Sequence, residues 1–106
     1  MESTKPIEQV INGFEVKGVL SKKEKGQTKN GLDFHNILVE VKGKKYTDFI
    51  PLVAYGEFTI PGVGTAVVVF GRIRSKEFDL KYSPTLIVES IHEIVEDVKV
   101  VQNITL

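Results

Sequence analysis

Two stretches of this chain put aromatic rings and positive charges on one strand face. In T-D-F-I-P-L-V-A-Y-G-E, Phe49, Pro51, Val53 and Tyr55 alternate with Ile50, Leu52 and Ala54. In G-T-A-V-V-V-F-G-R-I-R-S-K-E-F, Val68, Phe70, Arg72 and Arg74 alternate with Val67, Val69 and Ile73. Successive side chains of a strand point to opposite faces. Each segment therefore has an aliphatic face fit for a core and a second face of flat rings beside fixed cations. Rings stack on nucleobases, and guanidinium groups pair phosphates or stack in turn. The chemistry on offer is capture of a single-stranded nucleic acid. Lys17, Lys22, Lys23, Lys25 and Lys76 add charge that draws in a phosphate backbone.

Other chemistry is poorly supplied. There is no phosphate-binding glycine loop, no nucleophile motif and no pair of carboxylates on one strand face, so an enzyme is not expected. His35 and His92 stand alone, without a second ligand at metal-binding spacing. Cysteine is absent, which removes disulfides and thiolate metal sites. No metal and no cofactor are expected. No apolar run approaches the roughly 20 residues of a membrane span, and the N-terminus M-E-S-T-K-P-I-E lacks a secretory signal pattern. A cytoplasmic protein with no membrane partner is the expectation.

The formal net charge is zero, but it is unevenly spread. Residues 17–45 carry eight lysines against three acids, and residues 72–81 carry four cations against two acids. Residues 89–106 reverse the sign, with four acids against one lysine. Two basic clusters thus flank the aromatic segments.

The elements that must position these residues are short strands. Phe14 to Leu20 alternates, with Phe14, Val16 and Leu20 inward. S-K-K-E-K-G-Q-T-K-N-G then reads as a loop closed by Asn30-Gly31. A strand covers about 33–41, with Ile37, Val39 and Val41 on one parity, and the turn 42–45 leads to a third strand over 46–55. The connector 56–64 is too rich in breakers for a long helix. A fourth strand spans about 65–76, 77–84 reads as a turn, and a fifth strand spans about 85–91. The tail fits either a short helix or a sixth strand. Gly18 and Gly71 interrupt good strands and mark bends. The expected fold is all-β: a five-stranded, partly open barrel in one domain, with its core over about 12–94 and a C-terminal extension over 95–106.

In this order and spacing the residues resemble the bacterial and phage single-stranded DNA-binding proteins of the oligonucleotide/oligosaccharide-binding (OB) fold. The resemblance rests on Val16-Lys17-Gly18-Val19-Leu20, on Gly31 followed by Asn36-Ile37, and on Thr47-Asp48-Phe49 with Val53 and Tyr55-Gly56-Glu57. It continues through Gly64, Val67, Val69, Gly71, Ile73, Arg74, Ser75 and Phe78, then Tyr82-Ser83 and Leu86-Ile87-Val88. It implies a Greek-key barrel and a binding site in which Phe49, Tyr55 and Phe78 stack on bases. Phe70 and Tyr82 would extend the platform, and Arg72 and Arg74 would hold phosphates. It further implies sequence-nonspecific binding of single-stranded DNA in replication, recombination or repair, in a dimer or tetramer of phage or prokaryotic origin, with replication or recombination proteins as further partners. Phe14, Phe34 and Phe58 are assigned to packing. The chain departs from the family in lacking the helix after the third strand, any tryptophan and the long acidic-tipped tail. The alternative is an OB-fold interaction module, a primosome or replication accessory, that does not touch DNA itself.

Overall fold

The structure is a computed structural model and describes residues 11–95. It is all strand: β1 (Phe14–Gln27), β2 (Asp33–Lys42), β3 (Thr47–Tyr55), β4 (Ala66–Phe78) and β5 (Lys81–Glu93), with no helix among the described residues. The strands close into a barrel in the order β1-β2-β3-β5-β4. This is the expected five-stranded OB architecture, closed where a partly open barrel was expected, because β3 and β5 meet at one residue pair. The expected C-terminal extension lies, beyond Val95, outside the described residues, as does the choice between a helix and a sixth strand.

The core comes from one parity of each strand. Leu20, Ile37, Val39, Leu52, Ala54, Val67, Val69 and Val88 are buried, and no polar side chain is buried among them. Burial of apolar surface, the dominant favourable term in folding, thus fixes which face of β3 and β4 looks inward. Phe14, Val16, Phe58 and Ile60 pack against this cluster. Phe58 and Ile60 belong to the connector between β3 and β4. Three hydrogen bonds seat that connector: the Gly64 amide donates to the Leu20 carbonyl (2.7 Å), the Leu20 amide to the Thr65 carbonyl (2.9 Å), and Lys23 Nζ to the Ile60 carbonyl (3.2 Å).

One strand serves two neighbours. Residues 14–19 of β1 pair with β4, and residues 19–27 pair with β2, with a bulge between Leu20 and Lys22. Such a strand must curve sharply, and Gly18 sits at the handover. A Cβ there would collide with the Glu40 carbonyl oxygen and press on Val39. Gly71 plays the same part between β4 and β5, where a Cβ would strike the Ile87 carbonyl and come within 2.7 Å of the Phe14 ring. Beside it Glu89 bulges, because Phe70 pairs with Ser90 while Gly71 pairs with Val88. Both glycines therefore mark close backbone approach, as their interruption of the strands suggests.

Three expectations are corrected. The lysine-rich stretch is not a loop: β1 runs on to Gln27, and only residues 28–32 turn. The segment 77–84 is not a turn either, since β4 and β5 continue until Asp79-Leu80, both at positive φ (55° and 64°), the signature of a two-residue hairpin connection. Ile73 is not core; it is 37% exposed because β4 leaves the barrel after Gly71. From Arg72 to Phe78 and back, the β4–β5 hairpin projects as an arm. Asn12 steadies its base: Asn12 Nδ2 donates to the Ile73 carbonyl, and the Ile73 amide donates to Asn12 Oδ1, both at 2.9 Å.

Candidate nucleic-acid interface

The outer face of β2 and β3 is written by their register. Phe34 lies opposite Tyr55, Asn36 opposite Val53, Leu38 opposite Pro51 and Glu40 opposite Phe49. The Phe34 and Tyr55 rings are 6.3 Å apart and tilted by 55°, a favoured aromatic arrangement. Phe34 rests over Gly26, its cross-strand partner on β1, where a Cβ would fall 2.6 Å from the ring. The missing side chain makes room for the ring.

The arm supplies the facing wall. On its outer side Arg72, Arg74, Lys76 and Phe78 pair with Ile87, Thr85, Ser83 and Lys81. Between this arm and β2–β3 lies a cleft of about 500 Å³. Phe34, Val53 and Tyr55 line one side, Arg74 and Lys76 the other, and Thr85 and Ile87 lie between them. Among the described residues, no carboxylate lines the cleft. Rings, two cations and small hydroxyls in a concave strip suit a chain of flat heterocycles linked by anions.

The residues singled out in the sequence are distributed as follows. Tyr55, Arg74 and Lys76 meet in the cleft. Phe78 shares the outer side of the arm, four residues beyond Arg74, and is 79% exposed. Phe49 is exposed on the same face of β3 as Tyr55, but six residues away, roughly 20 Å along an extended strand. Arg72 forms an ion pair with Glu89 (3.4 Å), which offsets part of its charge. Lys22 lies on the outer face, opposite Leu38.

Other residues are placed elsewhere. Lys23 and Lys25 line a separate hollow with His35 and Ile60, and Lys25 also sits 3.9 Å from Asp33. Lys17 (opposite Val68) and Phe70 (opposite Glu15) belong to the β1–β4 wall, where Phe70 meets His92 edge-on at 6.3 Å. Tyr82 pairs with Glu77, so it faces the side of the arm opposite Phe78 and Arg74.

Phe34, assigned to packing from the sequence, belongs to the cleft instead, together with Asn36. Its signal was present in the alternation of β2. With Ile37, Val39 and Val41 inward, an even-numbered residue must point outward.

No family model matches the chain, and no curated protein matches it. Solved structures do. The N-terminal domain of PriB from Thermoanaerobacter tencongensis, a dimer, superposes with a TM-score of 0.63 at 24% identity, covering 80% of this chain and 98% of that one. A deletion mutant of the single-stranded DNA-binding protein of Thermus aquaticus gives 0.67 at 17% identity, over 82% of this chain and 42% of that one. The mitochondrial single-stranded DNA-binding protein Rim1 of S. cerevisiae gives 0.64 at 11% identity, over 77% and 94%. The chain therefore shares the fold of these single-stranded DNA-binding and PriB structures, a closed five-stranded OB barrel.

Proposed function

We propose that the chain binds single-stranded DNA with little regard to sequence, in the cleft between β2–β3 and the β4–β5 arm. The observation that carries this reading is the Phe34–Tyr55 ring pair set across from Arg74 and Lys76, with no carboxylate between them among the described residues. Bases stack on the rings, and every base has a π-face, so the contact tolerates sequence. Arg74 and Lys76 neutralise the phosphates that pass the arm. Phe78 takes a further base where the strand leaves the cleft, and Lys22 adds to the electrostatic draw from the outer face of β1. Duplex DNA hides its base faces and gains nothing from the rings. The likeness to single-stranded DNA-binding proteins supports this assignment, and the dimeric PriB domain supports self-association. A role in replication, recombination or repair, in a prokaryote or a phage, follows from the same reading.

A second reading is favoured by one observation. Phe78, Leu80 and Tyr82 are strongly exposed on the arm, and such side chains also serve protein contacts. On that reading the chain is an OB-fold interaction module. Titration of tyrosine fluorescence with single-stranded and duplex oligomers at two salt concentrations separates the two. Quenching by single strands alone, weakened by salt, supports DNA binding; a flat response to both supports the interaction module.

A further inference from the structure

The cleft does not end at Thr85. It runs into a wedge of about 500 Å³ between β3 and β5, and the two hollows share Asn36, Val53 and Thr85. The wedge exists because β3 and β5 meet at a single parallel pair, Val53 with Ile87. Pro51 and Pro84 both precede that meeting point, one on each strand, and proline has no N–H with which to extend a ladder. Ile50 and Leu86 line the wedge, and at its floor Ile37 and Leu52 belong to the buried core.

The polar groups of the wedge sit where it joins the cleft. Among the described residues, neither Asn36 nor Thr85 uses its side chain in a hydrogen bond. A side-chain amide offers two donors and an acceptor, and a hydroxyl offers one of each. An apolar slot with a few such groups at its mouth is built for a flat heterocycle with a polar edge, and its size lies within the roughly 300–1,000 Å³ of small-molecule sites.

We infer that the wedge is a nucleobase pocket, in which one base of the strand lying in the cleft turns inward and has its edge read by Asn36 and Thr85. The inference rests on the proposed function and adds base selectivity to it. The rings of the cleft accept any base. The wedge accepts one base better than the rest, so a binding site that is sequence-tolerant along most of its length acquires a preference at one position.

The test uses the full chain and short dT oligomers in which a single position, scanned along the oligomer, carries A, C, G, T or an abasic sugar. At one position the wild type spreads its Kd about tenfold across the bases, the scale of one or two good edge hydrogen bonds. Asn36→Ala compresses that spread to about twofold. Asn36 is exposed, so its loss leaves the barrel intact. Ile50→Phe, which fills the wedge from its half-buried wall, compresses the spread independently. Wild-type binding with no spread at any position, or a spread that survives both substitutions, overturns the pocket and leaves the proposed function standing. No single-strand binding by the wild type overturns both.

Discussion

Tyr55→Ala probes the cleft at the side chain where ring chemistry and exposure coincide. Tyr55 is 45% exposed, and its one aromatic neighbour among the described residues is Phe34. The folded state loses an aromatic pair, about 0.5–1.5 kcal/mol or less at this exposure, in addition to the ring's buried area. The bound state loses a base stack, about 1–3 kcal/mol. At about 1.4 kcal/mol per decade, Kd for a dT oligomer rises roughly 5- to 150-fold. A stack carries no net charge, so the slope of log K against log salt stays at its wild-type value, whereas loss of a phosphate contact would flatten it by about 0.7. The assay is fluorescence anisotropy of a labelled oligomer at about 50 and 200 mM salt, a range over which phosphate contacts are well resolved. Tyr55→Phe keeps the ring face and stays within about twofold of wild type. If Tyr55→Ala melts like the wild type yet binds with unchanged Kd, Tyr55 stacks on nothing and the cleft assignment is wrong.

Three further outcomes follow from the geometry. Arg74→Ala combined with Lys76→Ala flattens the salt slope by about 1.4, two phosphates at about 0.7 each, in the same titration. Gly71→Ala drives a Cβ into the Ile87 carbonyl and the Phe14 ring and costs about 3 kcal/mol, on the order of 12–24 °C in Tm for a domain of this size. Gly62→Ala, with open space at its Cβ, leaves Tm unchanged and serves as the control. Asn12→Ala removes both hydrogen bonds to Ile73, and because the site is exposed and water replaces them the loss is about 1 kcal/mol or less; it is read as faster hydrogen exchange at the Ile73 amide.

The half-buried strands were legible in the sequence. On β3 and β4 the core side and the ring side alternate without a break, so burial and parity agree from Ile50 to Ala54 and from Val67 to Val69. The second half of β1 and the β4–β5 arm were not legible. From Lys22 to Lys25 and from Arg72 to Phe78 neither face meets the core, so no apolar alternation marks a strand held by backbone pairing alone. Phe34 was misplaced even though the parity of its own strand pointed it outward. Tyr82 was misplaced because the face of a residue past a hairpin turn depends on whether the turn holds an even or odd number of residues. Lys17 and Phe70 have the outward parity, but the outside of a barrel curves round, so equal parity on different strands does not bring side chains together.

The cleft lies between two parts of the chain that are each local in sequence. The β1–β2–β3 meander closes over turns at residues 28–32 and 43–46, and the β4–β5 hairpin closes over Asp79-Leu80. Among the described residues, two strand pairings join these parts: the ladder between residues 14–19 of β1 and β4, and the single Val53–Ile87 pair. Both span long sequence separations, which are slow to close in a folding chain. Neither half carries both walls of the cleft, because Phe34 and Tyr55 belong to one and Arg74 and Lys76 to the other. On the proposed function a complete cleft needs both parts docked, so the expected outcome in refolding experiments is that DNA capture returns with the docking of the hairpin onto the meander and not with the earlier formation of strands.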